Sequence, residues 1–153
     1  MLRMSKLTDY GTVVLTCLAD QHRRSAADVA VNTRLAVPTV SKLLKALTRA
    51  GLVVSHRGPH GGYELARKAD EISAAEILDA LEGGPLAITE CSSDHGHCGL
   101  KANCHVGHAW RRINYSIRQA LDEVSLAELA GPTPAFSAPD MRGRLTLRPQ
   151  IRG

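Results

Sequence analysis

Three cysteines form the cluster in this chain whose residue types and spacing could do chemistry. Cys91, Cys98 and Cys104 fall within fourteen residues, separated by six and then five residues. Four of the seven histidines lie in or beside the same segment: His95, His97, His105 and His108. The segment is rich in Ser and Gly without hydrophobic periodicity, so it predicts a loop that offers cysteines no core to fill. The cluster therefore indicates ligands or reactive thiols.

The spacing of the three cysteines favours an iron-sulfur cluster over zinc. Zinc sites usually use cysteine pairs two to four residues apart, and neither interval here matches. Wider spacing lets three thiolates converge around a larger group, and soft sulfur ligands suit an iron-sulfur cluster, either 2Fe-2S or 4Fe-4S. A structural zinc loop and a metal-free thiol switch remain alternatives.

A redox enzyme built on this cysteine loop is a further hypothesis, and the sequence argues against it. No Cys-x-x-Cys pair, nucleotide-binding glycine pattern or nucleophile elbow accompanies the cysteines. We therefore predict that the chain is not an enzyme.

Composition predicts one modest globular unit with short appended elements. The chain has 153 residues, 44% of them hydrophobic but only 3% aromatic, so aliphatic side chains must fill a mainly helical core. The sequence has no secretory signal and no apolar run of ~20 residues. We expect a cytoplasmic protein with no membrane contact. In that reducing compartment the cysteines remain thiols and do not form disulfides.

Positive charge is concentrated in the first half of the chain. Residues 1–70 hold eleven Lys and Arg against five Asp and Glu, whereas residues 71–130 hold four against nine. The front half is therefore the candidate binder of a polyanion such as double-stranded DNA.

The front half also shows the order of elements of a helix-turn-helix. Apolar spacing predicts a first helix over residues 7–20, and Ser25 with Asp28 forms a capping box that opens a second. Pro38 starts a third helix that stops at Gly51. In such a unit the later helix enters the major groove. Its polar face and edges supply the predicted DNA contacts: Pro38, Thr39, Ser41, Lys42, Lys45 and Arg49.

A β-hairpin follows the third helix directly. Residues 52–57 and 63–66 read as strands joined by the glycine-rich turn 58–62, which makes the unit a winged helix-turn-helix. Arg57 and His60 lie at the predicted tip, where they can approach a phosphate backbone or a narrow minor groove.

The remainder predicts one more domain helix, the cysteine loop and a dimerisation helix. Ser73 and Glu76 form a second capping box, opening a helix expected to pack on the wing. Apolar positions spaced four and three apart over residues 105–129 predict a single long helix that pairs with a second copy. A long helix that lies across its own domain is the alternative. The expected organisation is a mainly α winged helix at 1–84, a cluster loop at 85–104, a dimerisation helix at 105–130 and a disordered tail at 131–153.

The sequence resembles the IscR, NsrR and RirA family of bacterial winged-helix regulators. The matching features are SKLTDY at 5–10, VPTVSKLL at 37–44, RGPHGGY at 57–63, the three cysteines and Trp110. The stretches AAEILDALEG at 74–83 and ITEC at 88–91 look most like the branch that regulates SUF-type iron-sulfur assembly. The resemblance implies a homodimeric regulator, expected to be a repressor, with one cluster per subunit on the three cysteines.

The resemblance leaves the fourth cluster ligand open. IscR-like members place a histidine three residues after the last cysteine, where this chain has Gly107. NsrR-like members use an N-terminal aspartate from the partner subunit, and Asp9 occupies that place. Asp9 is the predicted ligand, His108 is the second choice, and a surface or capping role is the alternative for Asp9. A ligand donated across the dimer would link cluster occupancy to the spacing of two recognition helices over half-sites ~34 Å apart.

Overall fold

The computed structural model describes residues 4–89, Gly99 and residues 105–132. Cys91, Cys98, Cys104 and the tail from residue 133 lie outside the described residues, as do His95 and His97, so predictions about them stay predictions. The helices are α1 (Lys6–Cys17), α2 (Ala26–Thr33), α3 (Val37–Arg49), α4 (Ala74–Glu82), α5 (Gly107–Asp122) and α6 (Leu126–Ala130). Two strands, β1 (Val53–His56) and β2 (Gly62–Leu65), and a 3-10 turn at Ala69–Glu71 complete the described part.

The helix starts follow the local signals in the sequence. Ser25 accepts a hydrogen bond from the Asp28 amide while the Asp28 carboxylate accepts one from the Ser25 amide, which confirms the first predicted capping box. The box at Ser73 and Glu76 is confirmed in the same way. Pro38 lies in the first turn of α3, where its missing N–H costs no hydrogen bond. These local signals set where α2, α3 and α4 begin.

The apolar side of α3 lies at the centre of the core. Val40, Leu43, Leu44 and Leu47 are all fully buried, as the periodicity predicts. Around them pack side chains from α1, α2, β1 and the 3-10 turn region, among them Val14, Leu15, Leu18, Val29, Val53 and Ile72. Because both α1 and α2 pack on this one face, the opposite face of α3 is left to solvent.

The apolar spacing of α1 predicts a buried face of Leu7, Tyr10, Val13, Val14, Cys17 and Leu18, and most of it is confirmed. Val14 and Leu18 are fully buried and Leu7 and Cys17 pack against the core, but Tyr10 and Val13 are 36% and 39% exposed, whereas Leu15 is fully buried. Gly11 faces α4 so closely that a Cβ there would lie 2.4 Å from a methyl carbon of Leu81. Packing against both α3 and α4 therefore shifts the buried face of α1 toward Leu15 and away from Tyr10 and Val13.

The β-hairpin confirms the predicted wing. β1 and β2 pair antiparallel, with Val53 opposite Leu65 and His56 opposite Gly62. The fourth helix does not pack chiefly on this wing, contrary to the prediction, but against α1, α5 and α3. The apolar residues of α4 at Ile77, Leu78 and Leu81 are buried in those contacts.

The single helix predicted for residues 105–129 is wrong, because the chain breaks it between α5 and α6. Ser125 caps α6 in a capping box with Glu128, and Leu126 behind it is fully buried. The Leu126 amide donates to the Ile72 carbonyl at 2.8 Å, and the Ala74 amide donates to the Val124 carbonyl at 2.8 Å. Core burial and these two bonds turn the chain back onto the domain. The 16 residues of α5 form a rod of ~24 Å, shorter than the ~37 Å of an unbroken helix.

An ion pair fixes α5 to the domain. Arg118 donates to the Asp79 carboxylate of α4 at 2.6 Å.

None of the helices in the described ranges has the length and apolar character needed to cross a membrane.

Candidate nucleic-acid interface

The solvent face of α3 carries the predicted DNA-binding residues. Pro38, Lys42, Lys45 and Arg49 are exposed, and Thr39 and Ser41 are half-buried at the edges. The face contains no acid along the whole of α3. The division between a buried apolar side and a basic solvent side is therefore the predicted one.

The cations of α3 are not neutralised within the described part of the chain. The arginines that do form ion pairs lie elsewhere, in Arg23–Glu64, Arg24–Asp20, Arg67–Glu76 and Arg118–Asp79. Arg24 forms two 2.5 Å bonds to Asp20, which hold the pKa of that carboxyl well below its usual range. Lys42, Lys45 and Arg49 make no such pair with any described residue, so their charge remains available to phosphates.

The wing tip is a tight glycine turn that displays Arg57 and His60, both exposed. The Gly61 amide donates to the Gly58 carbonyl at 2.9 Å, and Gly58 has a φ of +105°, a conformation suited to glycine. A Cβ at Gly61 would lie 2.5 Å from the His56 carbonyl oxygen. The tip therefore requires glycine to keep its shape, and that shape sets where Arg57 and His60 point from the domain.

Two arginines that sequence reasoning missed lie beside these elements. Arg34 ends α2 in the left-handed conformation, with a φ of 56°, and is exposed in the turn of the helix-turn-helix. Arg23 donates to Glu64 of β2 at 3.4 Å and to the His60 carbonyl at 3.3 Å. No local sequence signal could have predicted the contact between Arg23 and Glu64, since the two residues are 41 positions apart.

The candidate cluster ligands within the described ranges are Asp9 and His108. Asp9 lies in the first turn of α1, is exposed, and makes no side-chain hydrogen bond or ion pair with a described residue. Ser5 is the N-cap of that helix, so the capping alternative for Asp9 does not hold. His108 is exposed in the first turn of α5. No group of three or more metal-binding side chains assembles among the described residues, so the structure leaves the ligand set untested.

The donor chemistry available to a cluster is nevertheless suitable. The three cysteine thiols, the Asp9 carboxylate and the His108 imidazole are all ligand types that iron accepts. The chain entering the cysteine segment is held on α5, because the Asn114 side chain donates to the Leu86 carbonyl at 3.0 Å and accepts from the Ile88 amide at 3.1 Å. Cys91 follows three residues after Ile88 in the sequence.

A second anchor joins the end of α4 to the start of α1. The Glu82 carboxylate accepts hydrogen bonds from the Ser5 amide, at 3.1 Å, and from the Thr8 hydroxyl. Those bonds, with Thr8 first, lower the pKa of Glu82. Asp9 is therefore held next to a fixed point on α4, the helix that leads into the cysteine segment.

A helix-turn-helix followed by a two-stranded wing, with a basic face on its third helix, defines a winged-helix DNA-binding protein. The chain belongs to the Rrf2 family, described as iron-dependent transcriptional regulators, whose model matches residues 4–132.

Named relatives agree with this assignment. The transcriptional regulator IscR of Aliivibrio salmonicida is 33% identical over 130 residues, covering 81% of this chain and 76% of the relative. The solved structure of CymR, the global cysteine regulator of B. subtilis, is 30% identical, with a TM-score of 0.65 over 88% of this chain and all of the relative. The structure of T. potens IscR is also 30% identical, with a TM-score of 0.60 over 84% of this chain and 85% of that one. These relatives are transcriptional regulators, not enzymes.

Proposed function

We propose that the chain is a homodimeric repressor that binds a double-stranded operator through α3 and the wing. The observation that carries the proposal is the face of α3, where Lys42, Lys45 and Arg49 stand exposed and unpaired among the described residues. In this proposal Thr39 and Ser41 lie near base edges, the three cations contact phosphates or bases, and Arg57 and His60 follow the wing into the minor groove. Its partner being DNA, we place the protein in the cytoplasm.

The proposed signal is an iron-sulfur cluster on Cys91, Cys98 and Cys104. The family description, the IscR relatives and the suitable donor types support it. When bound, a cluster would make the state of the protein depend on the supply of iron and sulfide. Asp9 of the partner subunit is the proposed fourth ligand and His108 the second choice. The proposed targets are genes of SUF-type iron-sulfur assembly, on the resemblance of residues 74–83 and 88–91.

The dimer is proposed to form along α5. Val106, Trp110, Ile113 and Tyr115 are between 38% and 68% exposed in the single chain. Four large apolar side chains on one short stretch are typical of an interface with another copy. A ligand donated across this interface would couple cluster occupancy to the placement of the two α3 helices.

The decisive experiment loads the protein with ferrous iron and sulfide under anaerobic conditions and measures operator binding with and without the cluster. Salt is held constant, because affinities at different salt concentrations are not comparable. We expect a coloured dimer with bound iron and acid-labile sulfide whose operator affinity changes on cluster removal. Cys98→Ala should abolish loading. Cys17→Ala is the matched control, since Cys17 is a half-buried residue of α1 packed against the core.

The same preparation identifies the fourth ligand. Asp9→Ala should speed cluster loss to a chelator by about tenfold or more if Asp9 is a ligand, while His108→Ala should leave the rate unchanged. The reverse result would assign His108. Protein that takes up neither iron nor sulfide would overturn the cluster proposal and leave a DNA-binding regulator.

A thiol switch is the second candidate, favoured by the structural similarity to the global cysteine regulator CymR. Under this alternative, metal-free protein changes its operator affinity on thiol oxidation and needs no iron. A structural zinc loop would instead lose its fold when zinc is removed.

A further inference from the structure

We propose that Arg23 and Glu64 are positioning residues that fix the wing for operator binding, so that the acid Glu64 strengthens DNA binding. The inference rests on the proposed function, in which the wing contacts DNA. It concerns residues that the sequence patterns did not connect and that the family resemblance did not include.

The backbone at Arg24, before α2, pairs with the free edge of β2. The Arg24 amide donates to the Tyr63 carbonyl at 3.0 Å, and the Tyr63 amide donates to the Arg24 carbonyl at 2.7 Å. Gly62 allows this approach, because a Cβ there would lie 2.7 Å from the Arg24 carbonyl oxygen. The segment before α2 is thereby attached to β2, which carries the wing.

The Arg23 side chain extends this attachment to the tip. Its Nε lies 3.4 Å from a carboxylate oxygen of Glu64, and its terminal nitrogen donates to the His60 carbonyl at 3.3 Å. The other oxygen of Glu64 lies 2.6 Å from His56 Nε2 on β1. One carboxylate therefore joins the segment before α2 to both strands, and the same arginine holds the backbone of the tip.

This network supplies rigidity that a hairpin lacks by itself. An isolated two-stranded hairpin is at best marginally stable in water. Arg57 and His60 can act on DNA only if the tip holds one shape, and ordering it during binding would cost affinity. Arg23 and Glu64 are 40% and 30% exposed, so their pair is worth modest energy, but it acts directly on the tip.

Simple electrostatics predicts the opposite role for Glu64. A carboxylate on the DNA-facing wing repels phosphates, so its removal should tighten binding. In the structure, however, Glu64 is shared between Arg23 and His56, and its hydrogen bonds with them, Arg23 first, lower its pKa. The sign of the effect of Glu64→Ala on operator affinity therefore separates the two roles.

The test measures operator affinity of the full-length protein against salt concentration for Glu64→Ala and Arg23→Ala. We expect each to weaken binding by about threefold to tenfold, and the double variant to be no weaker than the single ones. The slope of log affinity against log salt should stay unchanged, since neither side chain is expected to contact a phosphate. A fall of ~0.9 in the slope for Arg23→Ala would show a direct phosphate contact instead.

Glu71→Ala is the matched control. Glu71 lines the same surface depression as Glu64, and its side chain forms no hydrogen bond or ion pair with a described residue. Removing its charge should leave binding unchanged or slightly tighter. Tighter binding by Glu64→Ala would overturn the proposal.

Hydrogen exchange in the free protein tests the positioning itself. Glu64→Ala should accelerate exchange of the Gly61 amide, which is bonded to the Gly58 carbonyl, while the amides of α3 keep their protection. Uniform acceleration would indicate general destabilisation instead. Arg57→Ala distinguishes failure of the proposed function. If that change alters neither affinity nor salt slope, the wing does not touch the operator, whatever Glu64 does to its shape.

Discussion

Asp9 on α1 and Glu82 at the end of α4 have opposite surroundings. Asp9 has no side-chain partner among the described residues, so its carboxylate is available to bind a metal. Glu82 is already occupied by the start of α1, through Ser5 and Thr8. We therefore expect Asp9 to bind the metal and Glu82 to hold the start of α1 in place.

Glu82 should contribute to stability only above mildly acidic pH. Its pKa is lowered below the usual 4.5, so folding favours the charged form. The contribution is present above pH 4.5 and is lost as the pH falls through the folded-state pKa. Glu82→Gln should therefore lower the free energy of unfolding near pH 7, by less than about 1 kcal/mol because the group is exposed.

Urea unfolding at several pH values measures this. The difference between wild type and Glu82→Gln should shrink toward zero between about pH 4.5 and 3. Glu123→Gln, at an exposed acid with no side-chain partner among the described residues, serves as the control. A difference that persists at pH 3 would contradict the assignment.

At the scale of elements, the turn between α5 and α6 decides how the domain closes. Leu126 follows directly after the Ser125 cap and lies fully buried against the core. Backbone bonds from Leu126 to Ile72 and from Ala74 to Val124 join this turn to the start of α4. The short α6 thus holds the C-terminal end of the described chain, the clasp, against the winged-helix core. An unbroken helix would have placed Leu126 away from that core.

Replacing Leu126 tests the clasp. Leu126→Ala should cost about 2 to 5 kcal/mol, the range for a fully buried leucine. Leu129→Ala is the matched control, because Leu129 lies in the same helix and is 42% exposed; it should cost under about 1 kcal/mol. Thermal and urea unfolding of both variants provide the comparison, and equal small effects would favour one continuous helix.

At the scale of the whole molecule, the chain presents a basic surface and an apolar one. Exposed cations without an ion pair among the described residues lie on α3 and at the wing tip, and large exposed apolar residues cluster on α5, which also carries the exposed Arg111 and Arg112. A regulator that reads two half-sites needs both surfaces, one for DNA and one for its second copy. The winged helix presents the first, and α5 is proposed to supply the second.

Charge introduced on α5 should separate the subunits without unfolding them. Trp110 and Ile113 are 38% and 43% exposed, so we expect the single chain to tolerate Trp110→Glu with Ile113→Glu. In the proposed dimer the same changes would bury charge. We expect monomers in analytical ultracentrifugation, a native circular dichroism spectrum, and operator affinity reduced by at least about a hundredfold as the second half-site is lost.

Val31→Glu is the control for this experiment. Val31 is an apolar residue of α2 that is 77% exposed, so the change adds a glutamate outside α5. The control should remain dimeric. An unchanged sedimentation coefficient for the α5 variant would place the interface elsewhere.

Much of the winged helix was predictable because its signals are local. The Ser25 and Ser73 boxes, the proline at the start of α3 and the glycine turn at 58–62 each act within a few residues. The exposure of Lys42, Lys45 and Arg49 followed from helical periodicity alone. A further local signal, Ser125 with Glu128, was present but was outweighed by the longer apolar repeat around it.

The amino-acid order by itself determined the kinds of elements, their sequence along the chain and which side of α3 is basic, because caps, turns and periodicity operate over one or two helical turns. Only the tertiary structure decided that α1 buries Leu15 and leaves Tyr10 and Val13 exposed, where the C-terminal helix breaks, and that Arg23 meets Glu64 and Glu82 meets Thr8. Those contacts join residues 41 and 74 positions apart. Their formation depends on how whole helices pack, which no local pattern records.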